Sequence, residues 1–142
     1  MNVEENLRVI DAFVDAFNER EWDRVAKLHA ATVVYWTPDN SEPKKGSKGD
    51  SESFLGYTSA FPDARNRKEL AFGKGDWACA EYVFTATHRG PLTGPDGKTV
   101  QGTRKHVRIP WVSMYKLAGR QITEWHAYWD TLGMWVQLGI IR

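Results

Sequence analysis

The sequence predicts an α+β protein, a cone-shaped α+β barrel in which N-terminal helices pack on a strongly bent antiparallel sheet and enclose a pocket. Apolar residues recur at helical spacing in the first part of the chain, and four β-type runs joined by tight turns fill the second. Seven Trp, five Tyr and six Phe suit the walls of a ligand pocket. The 142 residues fit one domain, spanning 1–142.

The helical segments come first in the chain. Residues 3–18 carry an apolar stripe, and Asn2 with Glu5 resembles a capping box that starts the helix. A second short helix places Trp22, Val25, Ala26 and His29 on one face, where His29 is expected to pack in the core. Residues 51–60 predict a third helix and residues 132–138 a closing one. The stretch 37–49, rich in Pro and Gly, predicts a loop.

The strands are predicted by β-branched and aromatic runs between turn signals. The candidates are residues 32–36, 65–72, 77–88, 100–117 and 121–130. Tight links between the long runs imply antiparallel pairing. Pro110, inside one of these runs, predicts a bulge or an edge position because proline cannot donate a ladder hydrogen bond.

Composition excludes several classes of function. With 19 Lys and Arg against 18 Asp and Glu, the net charge of +1 gives no basic surface for a nucleic acid. The single cysteine, Cys79, allows no intrachain disulfide and is expected to be an inert packed thiol. No apolar run has the ~20 residues that span a bilayer, and no signal peptide is evident, so a cytoplasmic location is expected. No metal or nucleotide motif occurs, so we expect chemistry without a cofactor or metal.

Asp130 is the strongest candidate for catalysis. It ends a run in which alternation puts Glu124, His126, Tyr128 and Asp130 on one strand face. If that face lines the pocket, aromatic walls would desolvate the carboxyl group and favour a neutral form that takes and returns protons. An equally good interpretation is that Asp130 caps the closing helix.

Histidine and aromatic side chains supply the remaining candidates. If Leu117 faces Arg120 across the last turn, His106 falls near Asp130 and Thr131 and orients for proton transfer. The alternative for His106, and more so for His88, is a hydrogen-bonded structural histidine. His126 suits either a pocket wall or a dimer surface. The predicted substrate-binding residues are Tyr35, Trp36, His88, Trp111, His126 and Tyr128.

At these residues the sequence resembles the SnoaL-like polyketide cyclase family, within the nuclear-transport-factor-2-like superfamily. The resemblance covers nearly the whole chain, and its segments are Ala60-Phe61-Pro62-Asp63, Gly75-Asp76, Ala86-Thr87-His88-Arg89-Gly90, Ile122-Thr123-Glu124-Trp125, Tyr128-Trp129-Asp130 and Gln137-Leu138-Gly139. It implies a cone-like barrel, a homodimer formed through sheet surfaces, and an aldol condensation that closes a ring in a polyketide ester. It also implies that Asp130 removes a proton alpha to a carbonyl and protonates the attacked carbonyl oxygen, assisted by His106.

Other activities remain compatible with the same fold. An isomerase, a dehydratase or an epoxide hydrolase would use the same pocket, as would a non-catalytic protein that binds a small apolar molecule. The sequence thus predicts a small apolar partner and leaves its chemistry open.

Overall fold

The computed structural model describes residues 2–141 and contains four helices and eight strands in that range. The helices are α1 (Val3–Asn18), α2 (Trp22–Lys27), α3 (Ser47–Ala60) and α4 (Thr131–Gln137). The strands are β1 (His29–Trp36), β2 (Lys44–Lys45), β3 (Arg65–Lys74), β4 (Trp77–Thr87), β5 (Leu92–Thr93), β6 (Thr99–Val100), β7 (His106–Ala118) and β8 (Gln121–Trp129). The predicted order of helices followed by a strand-rich half is confirmed.

Helix α1 forms where the apolar stripe predicts it. The Asn2 side chain accepts a hydrogen bond from the Glu5 backbone N–H at 2.8 Å, which satisfies one free donor of the first turn. The apolar stripe of the helix is buried against the sheet, and its burial supplies most of the helix's stability. The buried members are Val9, Ile10, Phe13, Val14, Ala16 and Phe17.

The main sheet has six strands in the order β2-β1-β8-β7-β4-β3 and is strongly curved. The pairs β3–β4, β4–β7 and β7–β8 are antiparallel, as predicted. Strand β1, however, pairs with β8 in parallel, so the sheet is mixed rather than wholly antiparallel. This pairing brings the first strand of the chain beside its last strand.

Pro110 lies in a regular part of the sheet. The β4–β7 register is continuous from Trp77↔Lys116 to Thr87↔His106, so the predicted bulge at Pro110 is wrong. Pro110 precedes the first β7–β8 pair, Trp111↔Trp129, so it has no ladder partner on the β8 side. This agrees with the predicted edge position. The irregularity in β7 falls instead between Lys116 and Leu117.

Two further boundaries differ from the prediction. Residues 101–105 are not in a strand, and Val100 belongs to the separate β5–β6 hairpin around the predicted turn at 94–97. Part of the predicted loop 37–49 is ordered as β2 and the first turn of α3. The part of the chain that the structure describes contains no helix long and apolar enough to cross a bilayer.

The turn between α3 and β3 is tied to the end of β4 by Asp63. Its Oδ1 accepts a hydrogen bond from the Thr87 backbone N–H at 2.7 Å. Burial opposes ionisation of Asp63, but the hydrogen bonds from Thr87 and the charge of Arg89 outweigh it. They lower the pKa of the Asp63 carboxyl below its ordinary value.

This lowered pKa predicts a pH-dependent contribution to stability. The Asp63 carboxylate should stabilise the fold above its ordinary pKa of about 3.9, and the contribution should be lost as the pH falls through the lowered folded-state value. We therefore expect Asp63→Asn to reduce the urea midpoint at pH 7 and to differ less from wild type at pH 3. The exposed Asp23→Asn serves as the control. A difference for Asp63→Asn that is the same at both pH values would contradict this role.

Candidate functional site

An aromatic pocket lies between the inner face of the sheet and helices α1, α3 and α4. Its volume is about 100 Å³, and the surface exposed to it is almost wholly apolar. This volume is below the roughly 300–1,000 Å³ of common ligand pockets and nearer to the ~150 Å³ of a cavity that holds benzene. The lining residues are Phe13, Val14, Phe17, Thr37, Ser53, Phe54, Tyr57, Phe61, Asn66, Phe84, Ile109, Trp111, Trp125, Ala127, Trp129 and Met134.

Three aromatic wall residues use their polar groups on partners in the protein. The indole Nε1–H of Trp125 donates to Asp50 Oδ1 at 2.9 Å. The indole of Trp111 donates to Asn66 Oδ1 at 2.8 Å, and the Tyr57 hydroxyl donates to Asp39 Oδ2 at 2.8 Å. Burial, together with the nearby Asp39, raises the pKa of Tyr57 well above its ordinary value. The wall is therefore apolar although it is built partly from Trp and Tyr.

Behind this wall lies a buried pair formed by His29 and Asp50. Their side chains are 0% and 2% exposed, and His29 Nε2 is 3.8 Å from Asp50 Oδ2. The His29 ring contacts the pocket residues Phe13 and Phe54, with centroid distances of 4.9 and 5.6 Å. Desolvation raises the pKa of Asp50, and both the charge of His29 and the hydrogen bond from Trp125 act in the opposite direction.

The hydrogen bonds define the proton arrangement of this pair. His29 Nδ1 lies 2.7 Å from the carbonyl oxygen of Val25, so Nδ1 carries the hydrogen. Asp50 Oδ1 already accepts from Trp125, which leaves Oδ2 facing His29 Nε2. At 3.8 Å these two atoms are too far apart for a hydrogen bond, so His29 acts on Asp50 through its charge.

The structure places Asp130 outside the pocket wall. Its side chain is exposed and accepts a hydrogen bond from the Gly133 backbone N–H at 2.7 Å, so it caps α4. The expectation that aromatic rings surround the carboxyl is wrong, because the opposite face of β8 lines the pocket through Trp125, Ala127 and Trp129. Asp130 nevertheless directly follows Trp129 and starts the helix that carries Met134, another lining residue.

His106 does not contact Asp130 or Thr131 as the predicted register required. Ala118 pairs with Gln121, and the ladder then shifts by one residue, so the assumed Leu117–Arg120 pairing is wrong. The ladder ends at Trp111↔Trp129, five residues after His106 in the chain. The exposed imidazole of His106 instead lies 3.1 Å from the Thr87 hydroxyl.

Three predicted substrate-binding residues lie on the outer face of the sheet, away from the helices. Trp36 stacks on His126 with centroids 4.0 Å apart, and Tyr128 is 51% exposed on the same face. They do not line the pocket because side chains alternate along β1 and β8, and the inner positions belong to their neighbours Tyr35, Trp125 and Trp129. Of the two interpretations of His126, the structure places it on the outer surface.

The other three predicted binding residues lie inside the molecule. Trp111 lines the pocket. Tyr35 is buried behind the wall, where it stacks on Trp125 at 4.9 Å. His88 is fully buried, and its Nδ1 accepts a hydrogen bond from the Thr103 backbone N–H at 3.1 Å, which holds residues 101–105 beside the end of β4. Desolvation lowers the pKa of His88, which suits a neutral structural histidine.

Sequence reasoning missed Asp50 altogether and assigned His29 only to packing. His29 begins β1 rather than ending α2, as was expected, and its ring is buried as predicted. Asp50 falls between the predicted loop 37–49 and the predicted helix 51–60, and the structure places it in the first turn of α3. A signal was present, because Asp50 precedes the lining residues Phe54, Tyr57 and Phe61 at spacings of four, seven and eleven, the spacing of one helix face. Among residues 2–141, no group of three or more His, Cys, Asp or Glu side chains forms a potential metal site.

With the pocket described, comparison with known proteins identifies the family. The family model of the SnoaL-like polyketide cyclases matches residues 7–138. The chain belongs to this family. No curated protein matches the sequence significantly.

Solved structures share the fold at low sequence identity. AclR from Streptomyces galilaeus, provisionally assigned as a hydroxylase, is 22% identical with a TM-score of 0.83, covering 99% of this chain and 100% of that one. A provisionally assigned SnoaL-like polyketide cyclase from Jannaschia sp. CCS1 is 17% identical with a TM-score of 0.86, covering 99% and 95%. An epoxide hydrolase from M. tuberculosis is 15% identical with a TM-score of 0.73, covering 97% and 92%. Identities this low establish the cone-like fold of the SnoaL-like chain and not its activity.

The buried His29–Asp50 contact predicts different effects for two substitutions of Asp50. Asp50→Leu leaves Trp125 Nε1 without its acceptor and removes the charged group 3.8 Å from His29, so it should lower the free energy of unfolding by about 3–5 kcal/mol. Asp50→Asn should cost clearly less, because its amide can accept from Trp125 and donate to a neutral His29. Urea denaturation of both variants measures the difference. Equal stabilities for the two variants would show that the contact does not matter.

Proposed function

We propose that the protein is a SnoaL-like polyketide cyclase that closes a ring by a cofactor-free, acid/base catalysed aldol condensation of a small apolar ester. The observation that carries the proposal is the position of Asp130. It is an accessible carboxyl directly after the pocket residue Trp129 in a chain that matches this family. The apolar end of the substrate occupies the pocket, and its reacting carbonyl groups lie at the mouth.

The proposed reaction needs one group that accepts and returns a proton. The Asp130 carboxylate removes a proton from the carbon between the substrate's carbonyl groups, and the resulting enolate attacks a second carbonyl carbon. The new carbon–carbon bond leaves an alkoxide, which takes the same proton back from Asp130, so no net proton or cofactor is consumed. The Gly133 backbone N–H holds the carboxyl in place at 2.7 Å.

Gly133 supports this arrangement because of its size. A Cβ atom at position 133 would collide with the Asp130 carboxyl group. A larger residue at this position would displace the carboxyl from its place over the first turn of α4. The contact gives Asp130 a fixed orientation, which a proton acceptor needs.

A non-catalytic binding protein is the second candidate. It is favoured by the lining itself, since Tyr57 is the one side chain there with a titratable group, and its hydroxyl is engaged by Asp39. An epoxide hydrolase of this fold would need an arginine and a second carboxylate beside Asp130. It is less favoured, because none of the ion pairs seen among the described residues includes Asp130.

Substitution of Asp130 separates the cyclase from the binding protein. Asp130→Asn keeps a good N-cap residue but removes the base, so stability and ligand affinity should stay near wild type. Turnover of a panel of aryl β-ketoesters that each carry a further ketone or aldehyde for ring closure should fall by about 10²- to 10⁴-fold. Asp130→Ser, another N-cap residue without a carboxylate, is the matched control and should lose turnover equally. Full turnover by Asp130→Asn would exclude Asp130 as the base.

We further propose that the chain forms a homodimer through the outer face of its sheet. Register places Phe72, Cys79, Met114, His126 and Trp36 in one row across five strands on that face. Phe72 is 59% and Met114 38% exposed, which is a large apolar exposure for a monomer surface.

A charge placed in this row should therefore separate the protomers. Wild type should sediment as a dimer at micromolar concentration, and Phe72→Lys should sediment as a monomer with pocket binding retained. Lys98→Glu, in the distant β5–β6 hairpin, should remain dimeric. A monomeric wild type, or a dimeric Phe72→Lys, would contradict this interface.

A further inference from the structure

We infer that Asp50 determines which molecules the pocket accepts. By holding the indole N–H of Trp125 outside the cavity, Asp50 makes the inner wall select a single ring that carries no hydrogen-bonding substituent. The inference deepens the proposed function, and it rests on that function only in treating this pocket as the place where the substrate binds.

The orientation of Trp125 is determined by three contacts. Its Nε1 donates to Asp50 Oδ1 at 2.9 Å, and its rings stack with Tyr35 at 4.9 Å and with Phe54 at 6.0 Å. Tyr35 fits there because Gly49 has no side chain, since a Cβ at Gly49 would lie 2.9 Å from the Tyr35 hydroxyl. The indole therefore presents carbon atoms to the cavity.

Asp50 is itself held in place from behind. It belongs to the first turn of α3, where the free N–H groups favour a negative side chain. His29 faces its second oxygen at 3.8 Å, and Val25 fixes the His29 ring from the other side at 2.7 Å. This series of contacts, from Val25 through His29 and Asp50 to Trp125, keeps the Trp125 N–H directed away from the cavity.

Two further polar groups of the wall are engaged in the same way, and its other polar groups are the hydroxyls of Thr37 and Ser53 and the amide of Asn66. Trp111 donates to Asn66, and Tyr57 donates to Asp39. A hydroxyl or carbonyl group that enters the cavity would therefore lose its water and find few partners. Such a loss costs about 1–3 kcal/mol, which corresponds to roughly 5- to 150-fold in affinity.

The volume of the pocket limits the size of the occupant. A cavity of about 100 Å³ accommodates one six-membered ring and not a fused polycycle. Together, size and polarity specify an unsubstituted aryl or cycloalkyl group as the buried part of the substrate, with its polar groups toward the mouth.

Toluene and phenol form a matched pair of probes, because a methyl group and a hydroxyl group are similar in size. We expect wild type to bind toluene at least about tenfold more tightly than phenol, because the phenol hydroxyl loses its water and finds few partners in the cavity. Asp50→Leu frees the Trp125 N–H to donate to a ligand oxygen, so the ratio should fall at least threefold. Asp50→Asn, which keeps the acceptor, should retain the wild-type ratio. NMR titration of each protein gives the dissociation constants.

Three results would overturn the inference. They are equal binding of toluene and phenol by wild type, no binding of either probe, and an unchanged ratio in folded Asp50→Leu. If Asp50→Leu does not fold, the test uses the NMR signal of the Trp125 indole N–H in wild type. This signal is assigned by its absence from the spectrum of Trp125→Phe. Bound toluene should show NOEs to the carbon-bound ring hydrogens of Trp125 and none to its indole N–H. An NOE to the indole N–H would overturn the inference.

These binding measurements require no turnover. If the Asp130→Asn experiment shows that the protein is not a cyclase, its pocket can still prefer toluene over phenol. If the protein is a cyclase, its pocket can still lack that preference. The failure of one proposal is thus distinguishable from the failure of the other.

Discussion

The alternation of side chains along β8 is the constraint on which the arrangement of this protein depends. Trp125, Ala127 and Trp129 point inward, while Glu124, His126 and Tyr128 point outward. A change of register by one residue would exchange the two sets, replacing an apolar wall with charged and polar groups. The parallel pairing of β1 and the antiparallel pairing of β7 hold β8 on both sides and maintain that register.

The inward-facing tryptophans bury indole N–H groups, which need hydrogen-bond acceptors outside the cavity. Tryptophan offers a large apolar surface, but its buried N–H requires an acceptor. Asp50 provides one for Trp125, and Asn66 provides one for Trp111. Burying a carboxyl group is costly in turn, and the charge of His29, 3.8 Å away, offsets part of that cost. The apolar pocket is thus maintained by a small polar network, most of which lies behind the wall.

Local signals in the sequence predicted most of the architecture. The stripe of α1, the Asn2 cap and the four long strands follow from periodicity and turn residues, and the structure confirms them. The parallel β1–β8 pair joins segments about ninety residues apart, and no local pattern specifies it. The site was harder to predict for the same reason. Alternation divides β8 into two faces but does not say which face is inside. The acid, imidazole and phenol groups of Glu124, His126 and Tyr128 suggested that their face lines the pocket, whereas the structure places it outside.

Asp50 illustrates a second limit. An aspartate near Pro, Gly and Lys residues has the sequence character of a loop, and its burial depends on His29 and Trp125, which are distant in the chain. Asp130 was correctly considered as a cap, since local spacing determines capping. Local sequence therefore predicted the roles that depend on neighbours in the chain, and the tertiary structure was needed for the rest.

The central claim is that ligands bind on the inner face of β8. Fluorine NMR of protein labelled with 5-fluorotryptophan tests it directly, because the seven Trp residues lie in different parts of the fold. With toluene added, the account predicts shifts for Trp111, Trp125 and Trp129 and unchanged signals for Trp36 and Trp77 on the outer face. Shifts confined to Trp36 and Trp77 would contradict it and place the binding site on the outer surface of the sheet.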